Sequence, residues 1–480
     1  MSRDEPSVPC PLRAAALSAP DAAAIIGPGG TITYDELDGR VSAAALRLGE
    51  LEPGSRVALY LPKDGRYVTL MLAVIRAGHV ACPISDRLPP KGVAPLVERA
   101  SCAAVISDDD NVLRTTGAGL HRSKPEPFLD GDGRRDQPEH IPLDRPATVV
   151  FTSGSMGTPK GALHTFGNHH SNALGSNANI TLRPEDRWLH SLPLYHVGGI
   201  SILFRCLLAG ATIALPEHGA AIGGSIARLG ATHVSLVSTQ LLRLLREDID
   251  LGGLKAVLMG GGPVSASLID EAVSRHLPIH TSYGLTEMAS QVTTTPPSAS
   301  REELRTAGRV LAEREVSISE EGEILVRGAT LFAGYVEDET LDLPLDTNGR
   351  FHTGDLGELD ESGYLRVLGR KDNRFFSGGE NIQPEEIEEA LSLLPGVEAA
   401  VVVPVDDAEF GQRPVAFVRT ETESKMDLVP ELEKVLPRFK VPASFHPWPA
   451  ESGGMKVNRA HFQELARHLN PEGRSGPPKQ

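Results

Sequence analysis

Apolar and polar positions alternate along the first quarter of the chain with two different periods. Residues 56–62 and 103–108 are short, largely apolar runs typical of buried strands, whereas residues 67–77 show the apolar spacing of a helix. Strand-like and helix-like segments alternate in this way over residues 30 to about 120. That rhythm predicts parallel βαβ units.

A second series of the same kind follows a polar interval. Residues 121–146 are rich in Pro, Asp, Gly and Arg and are predicted to form a surface linker between two lobes. Residues 147–150 form an apolar, β-branched run that predicts a buried strand, and the segment after residue 161 is predicted to be a helix. Further strands are predicted at 211–215, 233–237, 256–259 and 279–282, with helical spacing between them, as at 241–245.

The pattern changes near Ala307. Strand-like runs at 315–318 and 323–326 flank Glu320-Glu321-Gly322, which predicts a β-hairpin. Residues 358–367 show the same strand–turn–strand pattern. Together they predict a small antiparallel β-subdomain. After Arg370 the order is helix (384–394), strands (399–403 and 414–418), helix (428–436) and a short final strand. The tail at 471–478 is predicted to be disordered.

These patterns predict an α/β protein of two domains. The first, residues 1–370, has two βα-layered lobes and the small β-subdomain. The second, residues 371–480, is a smaller α+β domain of a size that can fold independently.

Composition and charge narrow the class of partner. The chain has 480 residues, of which 40% are hydrophobic and 23% charged, and its net charge is −16. Nucleic acid is therefore not expected as a partner, because a phosphate backbone demands a basic face. The sequence contains no run of 18 apolar residues, so no membrane span is expected. The N-terminus does not show the pattern of a signal peptide. The cysteines (Cys10, Cys82, Cys102 and Cys206) show no paired spacing, which favours a reducing cytoplasm.

The stretch from Phe151 to Gly161 carries the clearest chemical signal. It reads F-T-S-G-S-M-G-T-P-K-G and holds four hydroxyls, three glycines and Lys160 within eleven residues. Glycines allow backbone N–H groups to converge on one point, and the hydroxyls and the lysine add donors, which suits a polyphosphate. A Walker A loop is excluded, because Pro159 stands where that motif needs glycine.

This stretch resembles the phosphate loop of the acyl-adenylate-forming superfamily, with Met156 where threonine is usual. Five further segments match the family's motifs in the family's order, so the resemblance spans roughly residues 20 to 465. They are Tyr283-Gly284-Leu285-Thr286-Glu287, Gly260-Gly261-Gly262-Pro263, Thr353-Gly354-Asp355, Gly369-Arg370-Lys371-Asp372 and the segment Ser377 to Glu388.

The resemblance implies a role for each matching residue. ATP would be bound by Thr152, Ser153, Gly154, Ser155, Gly157, Gly261, Gly262, Pro263, Tyr283, Gly284, Thr286, Asp355 and Arg370. Asp355 would accept both ribose hydroxyls, Tyr283 would stack near adenine, and Glu287 would hold Mg²⁺, for which a carboxylate is the expected hard ligand. Lys160 would act on the phosphates, and Gly378 and Gly379 would flank the tunnel for the pantetheine arm of CoA.

Two residues are implied to serve a mobile C-terminal domain. Asp372 would be the hinge about which it swings, and Lys456 would be the catalytic lysine that stabilises charge while a carboxylate attacks the α-phosphate. The segment Gly453-Gly454-Met455-Lys456 departs from the family's usual spacing by one inserted residue. It is similar to the branch of the family that acts on o-succinylbenzoate.

The acid pocket is expected at residues 193–205. The resemblance implies that His196 closes on the acyl group and that Gly198 and Gly199 keep the pocket wall low, with Ser238 nearby. Arg205 stands among apolar residues of the predicted helix, where an unpaired guanidinium is costly to bury. It either reaches the surface, pairs with an internal acid, or faces a second carboxylate of the substrate.

The function implied is an ATP-, Mg²⁺- and CoA-dependent acid–CoA ligase, with o-succinylbenzoate of menaquinone synthesis as the acid. The similarity to that branch extends through Arg205, Ser238, Ser290 and Gln291. An aryl- or medium-chain fatty acid–CoA ligase and a carrier-protein-loading adenylation enzyme stay open as alternatives, as does a non-catalytic nucleotide-binding relative. A homo-oligomer is also left open.

Overall fold

The computed structural model describes residues 6–117, 119–129, 131, 140–152, 159–247, 249–337, 340–377, 380–407, 410–420, 428–449 and 458–469. Its strands are β1 (Ser7–Pro9), β2 (Ala23–Gly27), β3 (Gly30–Thr33), β4 (Arg56–Tyr60), β5 (Val80–Pro83), β6 (Ala104–Ser107), β7 (His121–Ser123), β8 (His140–Pro142), β9 (Pro146–Thr152), β10 (Lys160–Thr165), β11 (Arg187–Leu189), β12 (Thr212–Ala214), β13 (His233–Leu236), β14 (Ala256–Met259), β15 (Ile279–Leu285), β16 (Ser290–Thr294), β17 (Arg309–Val310), β18 (Arg314–Ile318), β19 (Glu323–Gly328), β20 (Gly334–Glu337), β21 (Thr340–Asp342), β22 (Phe351–Leu359), β23 (Leu365–Arg370), β24 (Phe375–Ser377), β25 (Glu380–Ile382), β26 (Val397–Asp407), β27 (Gly411–Thr420) and β28 (Ser444–Pro447).

The helices alternate with these strands through most of the chain. They are α1 (Pro11–Ser18), α2 (Tyr34–Leu48), α3 (Gly65–Arg76), α4 (Pro90–Arg99), α5 (Asp110–Thr115), α6 (Glu126–Leu129), α7 (Phe166–Asn179), α8 (Val197–Ala209), α9 (Ile222–Leu229), α10 (Ser238–Leu245), α11 (Ala266–Ser274), α12 (Pro384–Ser392), α13 (Leu428–Leu432) and α14 (Arg459–Leu469). Polar caps mark several starts: Thr33 forms a capping box with Glu36 at α2, and Asp64 accepts from the first-turn N–H groups of α3.

The first lobe is an eight-stranded sheet in the order β21-β20-β10-β9-β5-β4-β6-β7. Strand β4 pairs in parallel with β5 and β6, which confirms the predicted βαβ rhythm. The prediction that residues 121–146 are only a linker was wrong in part. Residues His121–Ser123 form the edge strand β7 beside β6, and Phe128 of α6 is buried. A polar strand is tolerated there because one side of an edge strand stays solvated.

The segment after the phosphate loop also differs from the prediction. Instead of entering a helix, the chain returns as β10, antiparallel to β9, and the helix α7 begins only after Thr165, whose side chain caps it. The loop therefore spans a hairpin, with Thr152 opposite Lys160. The hairpin was missed because β10 is too short to show a clear period before the capping residue.

The second lobe is a nine-stranded sheet in the order β17-β16-β15-β14-β13-β11-β12-β2-β3. Strands β11 to β15 run parallel. Strands β12 to β15 were predicted from their buried apolar runs, whereas β11 was missed. One apolar core joins the lobes: buried residues of α2, α3 and α8 pack together with strand residues of both sheets, such as Leu59 and Ile213. The carboxyl ends of the parallel strands thereby provide the edge at which such sheets bind ligands.

The rest of the chain forms smaller sheets. The predicted β-subdomain is confirmed as the four-stranded antiparallel sheet β18-β19-β22-β23, and the C-terminal unit holds the sheet β26-β27-β28. Helix α13 ends at Leu432, four residues earlier than predicted, and α14 was missed. The predicted disordered tail at 471–478 lies outside the described residues. No helix in the described part of the chain is long and apolar enough to cross a membrane.

Candidate active site

The two residues that flank the phosphate loop face each other at the end of the β9–β10 hairpin. Thr152 ends β9 and Lys160 begins β10. The side chain of Lys160 is exposed, and its ammonium lies 4.9 Å from the centre of the Tyr335 ring on the neighbouring strand β20. Four loop residues predicted to bind ATP (Ser153, Gly154, Ser155 and Gly157) lie outside the described residues.

Glu287, the predicted metal ligand, is held by the same tyrosine. The Tyr335 hydroxyl donates to Glu287 Oε1 over 2.5 Å. Burial, followed by the charge of Glu287, raises the pKa of Tyr335 well above its usual range, so the phenol stays a donor. No group of three metal-ligating side chains occurs in the described part of the chain. A single carboxylate fits Mg²⁺, which proteins commonly hold through one or two carboxylates together with substrate phosphates.

Asp355 and Arg370, the predicted ribose-binding residues, meet Tyr283 near the carboxyl end of β15. The Tyr283 hydroxyl donates to Asp355 Oδ2 over 2.6 Å, and Arg370 Nη1 donates to Asp355 Oδ1 over 3.0 Å. Burial raises the pKa of Asp355, while Tyr283 and Arg370 oppose that shift. Arg370 also contacts Asp372 over 3.5 Å, at the start of the C-terminal unit. Each oxygen of Asp355 keeps a lone pair for a further donor.

A buried histidine on the neighbouring hairpin holds the backbone of Thr286 in place. His164 Nε2, on β10, donates to the carbonyl oxygen of Thr286 over 2.7 Å, and burial lowers the pKa of His164 to about 4. The ring is therefore neutral at physiological pH. Gly284 packs so tightly against β16 that an added Cβ would lie 2.1 Å from the carbonyl oxygen of Ser290.

The glycine turn after β14 lies beside the start of α10. Gly261 adopts a φ of +80°, a conformation that favours glycine, and is followed by Gly262 and Pro263. The Ser238 hydroxyl donates to the carbonyl oxygen of Pro263 over 2.6 Å. The residue predicted for the acid pocket thus touches the segment predicted to line the adenine pocket.

The N-terminus of α8 forms the predicted wall of the acid pocket. His196 is the exposed residue before the helix, and its ring packs edge-on against Tyr195. A Cβ on Gly199 would lie 2.0 Å from the carbonyl oxygen of Pro193, and a Cβ on Gly198 would lie 2.9 Å from a methyl group of Leu192. Gly199 therefore has no room for a side chain, because the clash is with backbone, whereas at Gly198 the Leu192 side chain would have to move.

Arg205, two turns further along α8, is buried, and no acid among the described residues contacts its guanidinium. Its side chain is 1% exposed, its guanidinium carbon lies 5.0 Å from the centre of the Trp188 ring, and Nη2 donates to Gln291 Oε1 over 2.6 Å. Its Nε is buried and has no hydrogen-bond partner among the described residues. Burial lowers the pKa of Arg205 to about 9. The hypothesis of surface exposure is therefore wrong, and the part of the chain that the structure describes holds no ion pair between Arg205 and an acid.

The structure brings most of the predicted residues to the carboxyl edge of the parallel strands, and it adds some that the sequence did not reveal. Tyr335, His164 and Trp188 were missed, because each contacts its partner from a distant strand and lies in no chemical motif. The predicted CoA-tunnel glycines Gly378 and Gly379 and the predicted catalytic residue Lys456 lie outside the described residues.

Comparisons with known proteins agree with this geometry. Residues 12–336 match the family model for AMP-binding enzymes, and residues 386–451 match the AMP-binding enzyme C-terminal domain. The chain is 31% identical over 474 residues to a 2-succinylbenzoate–CoA ligase of Bacillus cereus, covering 94% of this chain and 97% of that one. It is 33% identical over 443 residues to the ligase of the same name from Bacillus pumilus, covering 89% and 91%.

Solved structures are similar over the same length. An E. coli MenE variant with bound OSB-AMS matches with a TM-score of 0.85 at 31% identity, covering 96% of this chain and 99% of that one. Bacillus subtilis MenE in complex with the acyl-adenylate intermediate OSB-AMP matches with a TM-score of 0.85 at 29% identity, covering 98% and 100%. The same enzyme in complex with ATP and magnesium ion matches with a TM-score of 0.83 at 30% identity, covering 92% and 96%.

Proposed function

The chain belongs to the AMP-binding enzyme family, and from that premise we propose that it is an AMP-forming acid–CoA ligase whose acid is 2-succinylbenzoate (o-succinylbenzoate). The observation that carries the choice of acid is Arg205. A fully buried guanidinium with no acid in contact is costly, and a substrate carboxylate would supply the missing counter-charge. 2-Succinylbenzoate has two carboxylates, so one can react while the other faces this arginine.

The reaction has two half-reactions. In the first, a carboxylate oxygen attacks the α-phosphorus of ATP, the bond to the β-phosphate oxygen breaks, and pyrophosphate leaves. In the second, the CoA sulfur attacks the carbonyl carbon of the acyl-adenylate, the carbon–oxygen bond to AMP breaks, and the thiol proton passes to water. The mixed anhydride is already activated, so no protein nucleophile is required.

Different residues of this chain would bind the ribose, the Mg²⁺ ion and the phosphates of ATP. Asp355, oriented by Tyr283 and Arg370, would accept the ribose hydroxyls. Glu287, oriented by Tyr335, would hold Mg²⁺, which neutralises phosphate charge when bound. Lys160 would contribute positive charge at the polyphosphate.

The remaining assignments concern the C-terminal unit. We infer that residues 371–480 form the mobile domain, with Asp372 as hinge, and that Lys456 stabilises the first transition state before this domain withdraws it. Gly378 and Gly379 would then line the approach of CoA. The contacts of Arg370 with Asp355 and with Asp372 support this hinge, because they link the residue proposed to bind the ribose with the residue proposed as the hinge.

The cellular setting follows from the chemistry. Menaquinone synthesis would consume the thioester product, and the enzyme would work in the cytoplasm. All four cysteines are buried thiols without a disulfide, which supports a reducing compartment.

The test is pyrophosphate release with ATP and Mg²⁺ on a panel of acids, with and without CoA. The panel holds 2-succinylbenzoate, benzoate, 4-hydroxybenzoate, octanoate and acetate. We expect CoA-stimulated turnover on 2-succinylbenzoate far above that on the others. Turnover on a monoacid alone would favour an aryl- or fatty acid–CoA ligase, and turnover independent of CoA would favour a carrier-loading enzyme. No turnover on any acid would favour a non-catalytic relative.

A further inference from the structure

Gln291, at the start of β16, has both ends of its side-chain amide fixed. Its Oε1 accepts from Arg205 Nη2 and its Nε2 donates to Thr294 Oγ1, each over 2.6 Å. The Thr294 hydroxyl donates its hydrogen to the carbonyl oxygen of Thr293 over 2.7 Å. Its oxygen can therefore only accept a hydrogen bond from the Gln291 amide, which must present its N–H group. A guanidinium only donates hydrogen bonds, so the amide oxygen must face Arg205.

The backbone of Gln291 is held as firmly as its side chain. Its carbonyl oxygen accepts from Arg314 Nε over 2.7 Å and from Asn172 Nδ2 over 3.1 Å. Asn172 also donates to the carbonyl oxygen of Met288, the residue after Glu287. Gln291 therefore lies in a braced segment that begins next to the predicted metal ligand, and its two side-chain hydrogen bonds direct its amide oxygen towards Arg205.

An amide at this position fixes a guanidinium without neutralising it. Glutamate has nearly the same shape and would form an ion pair with Arg205, which would remove the need for a counter-charge from the substrate. Burial is the main cause that lowers the pKa of Arg205; among the described residues the Cys206 thiol opposes this shift and the cation Arg314 adds to it. Cys206 supplies no negative charge at neutral pH, because burial raises the pKa of its thiol to about 12. Arg314 is satisfied by three backbone carbonyl oxygens and contributes no counter-charge.

We propose that Gln291 is the positioning residue that makes the enzyme selective for a diacid. Its neutral amide orients Arg205 through the Thr294–Gln291–Arg205 hydrogen bonds and leaves the positive charge for the second carboxylate of the substrate. The proposal rests on the proposed function, since it explains how that acid is preferred over monoacids.

The test is the substitution Gln291→Glu, assayed by pyrophosphate release with 2-succinylbenzoate and with the best-used monoacid. The new carboxylate occupies Arg205, so we expect KM for the diacid to rise about 10- to 100-fold, the range of a charge-assisted contact. We expect kcat to fall less than KM rises. KM for ATP and the rate on the monoacid should stay within about threefold of wild type.

A second variant and a control separate positioning from folding. Thr294→Val removes only the hydroxyl that orients the amide, and we expect it to raise KM for the diacid by about two- to fivefold in the same selective way. Gln463→Glu adds the same charge on α14, in the C-terminal unit, and should change neither constant. Thermal unfolding of all three variants shows whether they fold. If Gln291→Glu is too unstable to assay, Thr294→Val carries the test.

The outcomes separate this proposal from the function on which it rests. Equal losses on diacid and monoacid, or no loss on the diacid, would overturn the role of Gln291 while leaving the ligase assignment intact. A wild-type enzyme inert on 2-succinylbenzoate would overturn the proposed acid, and with it this role.

Discussion

The nucleotide side and the acid side of the site differ in how their charges are compensated. On the nucleotide side, Asp355 contacts Tyr283 and Arg370, and Glu287 contacts Tyr335. On the acid side, Arg205 is more deeply buried than either carboxylate, yet its contacts are a neutral amide and the face of Trp188.

This difference indicates where general and specific recognition reside. The polar groups on the nucleotide side hold each other in place before a ligand arrives, which lowers the ordering cost of binding a cosubstrate common to every acid. On the proposed acid side no described acid compensates the charge of Arg205, and we infer that a substrate without a second carboxylate would leave this buried charge unpaired. Substitutions on the first side should affect all acids alike, and substitutions on the second should separate diacid from monoacid.

The largest effect is expected for Asp355→Ala. The change removes the proposed acceptor for the ribose hydroxyls and leaves Tyr283 and Arg370 without their shared partner. We expect kcat/KM to fall about 100- to 1,000-fold, equally for 2-succinylbenzoate and for a monoacid. Steady-state kinetics with both acids measures this. An exposed arginine without a described contact, changed in Arg40→Ala, provides the control, and a loss confined to one acid would contradict the proposed division.

A smaller effect is expected for Tyr335→Phe. The ring that lies beside Lys160 remains, and only the hydrogen bond to Glu287 is lost. One hydrogen bond to a charged group is worth about 1.5–3 kcal/mol, so we expect KM for Mg·ATP to rise about tenfold. Titration of ATP at fixed acid, and of Mg²⁺ at fixed ATP, measures it. An unchanged Mg²⁺ requirement would show that Tyr335 does not orient the metal ligand.

How much of this could be predicted from the sequence depends on whether the signal is local. Asp355, Arg370 and Glu287 lie in contiguous motifs and could be assigned expected roles from the chain alone. Tyr335 and Gln291 meet their partners across 48 and 86 residues respectively, so no local spacing reveals those contacts. The apolar neighbours of Arg205 left surface exposure, an internal acid and a substrate carboxylate open as hypotheses. Only the packed structure shows that its side chain is buried and that no described acid contacts it.

The fold divides in the same way. Apolar runs such as β14 were predicted with correct bounds, because a strand buried on both faces is continuous in sequence. The edge strand β7 was mistaken for a linker, because its polar residues gain their structure only by pairing with β6. The hairpin strand β10 was taken for a helix, since its pairing with β9 and β20 is not encoded in its short pattern.

The smallest effect concerns pH and the support beneath the nucleotide side. Burial lowers the pKa of His164 to about 4, below the ordinary value of 6.5. Between pH 6.5 and 4, His164 is protonated in the unfolded chain but stays neutral in the folded protein. The free energy of unfolding therefore decreases as pH falls from about 6.5 towards 4. His164→Gln removes this titration, so melting temperature between pH 7 and 4.5 should fall less steeply than for wild type. If melting temperature falls equally steeply with pH in His164→Gln and in wild type, His164 is not the neutral, buried histidine described here.

The most direct test compares kcat/KM for the diacid with kcat/KM for analogues that lack one carboxylate, in wild type and in Arg205→Ala. The compounds are 2-succinylbenzoate and its two analogues that each lack one carboxylate, assayed by CoA-dependent pyrophosphate release. We predict that wild type prefers the diacid by about 100-fold in kcat/KM over the better analogue, and that Arg205→Ala reduces this preference to within about threefold. An undiminished preference in Arg205→Ala would contradict the claim that the buried arginine selects the acid.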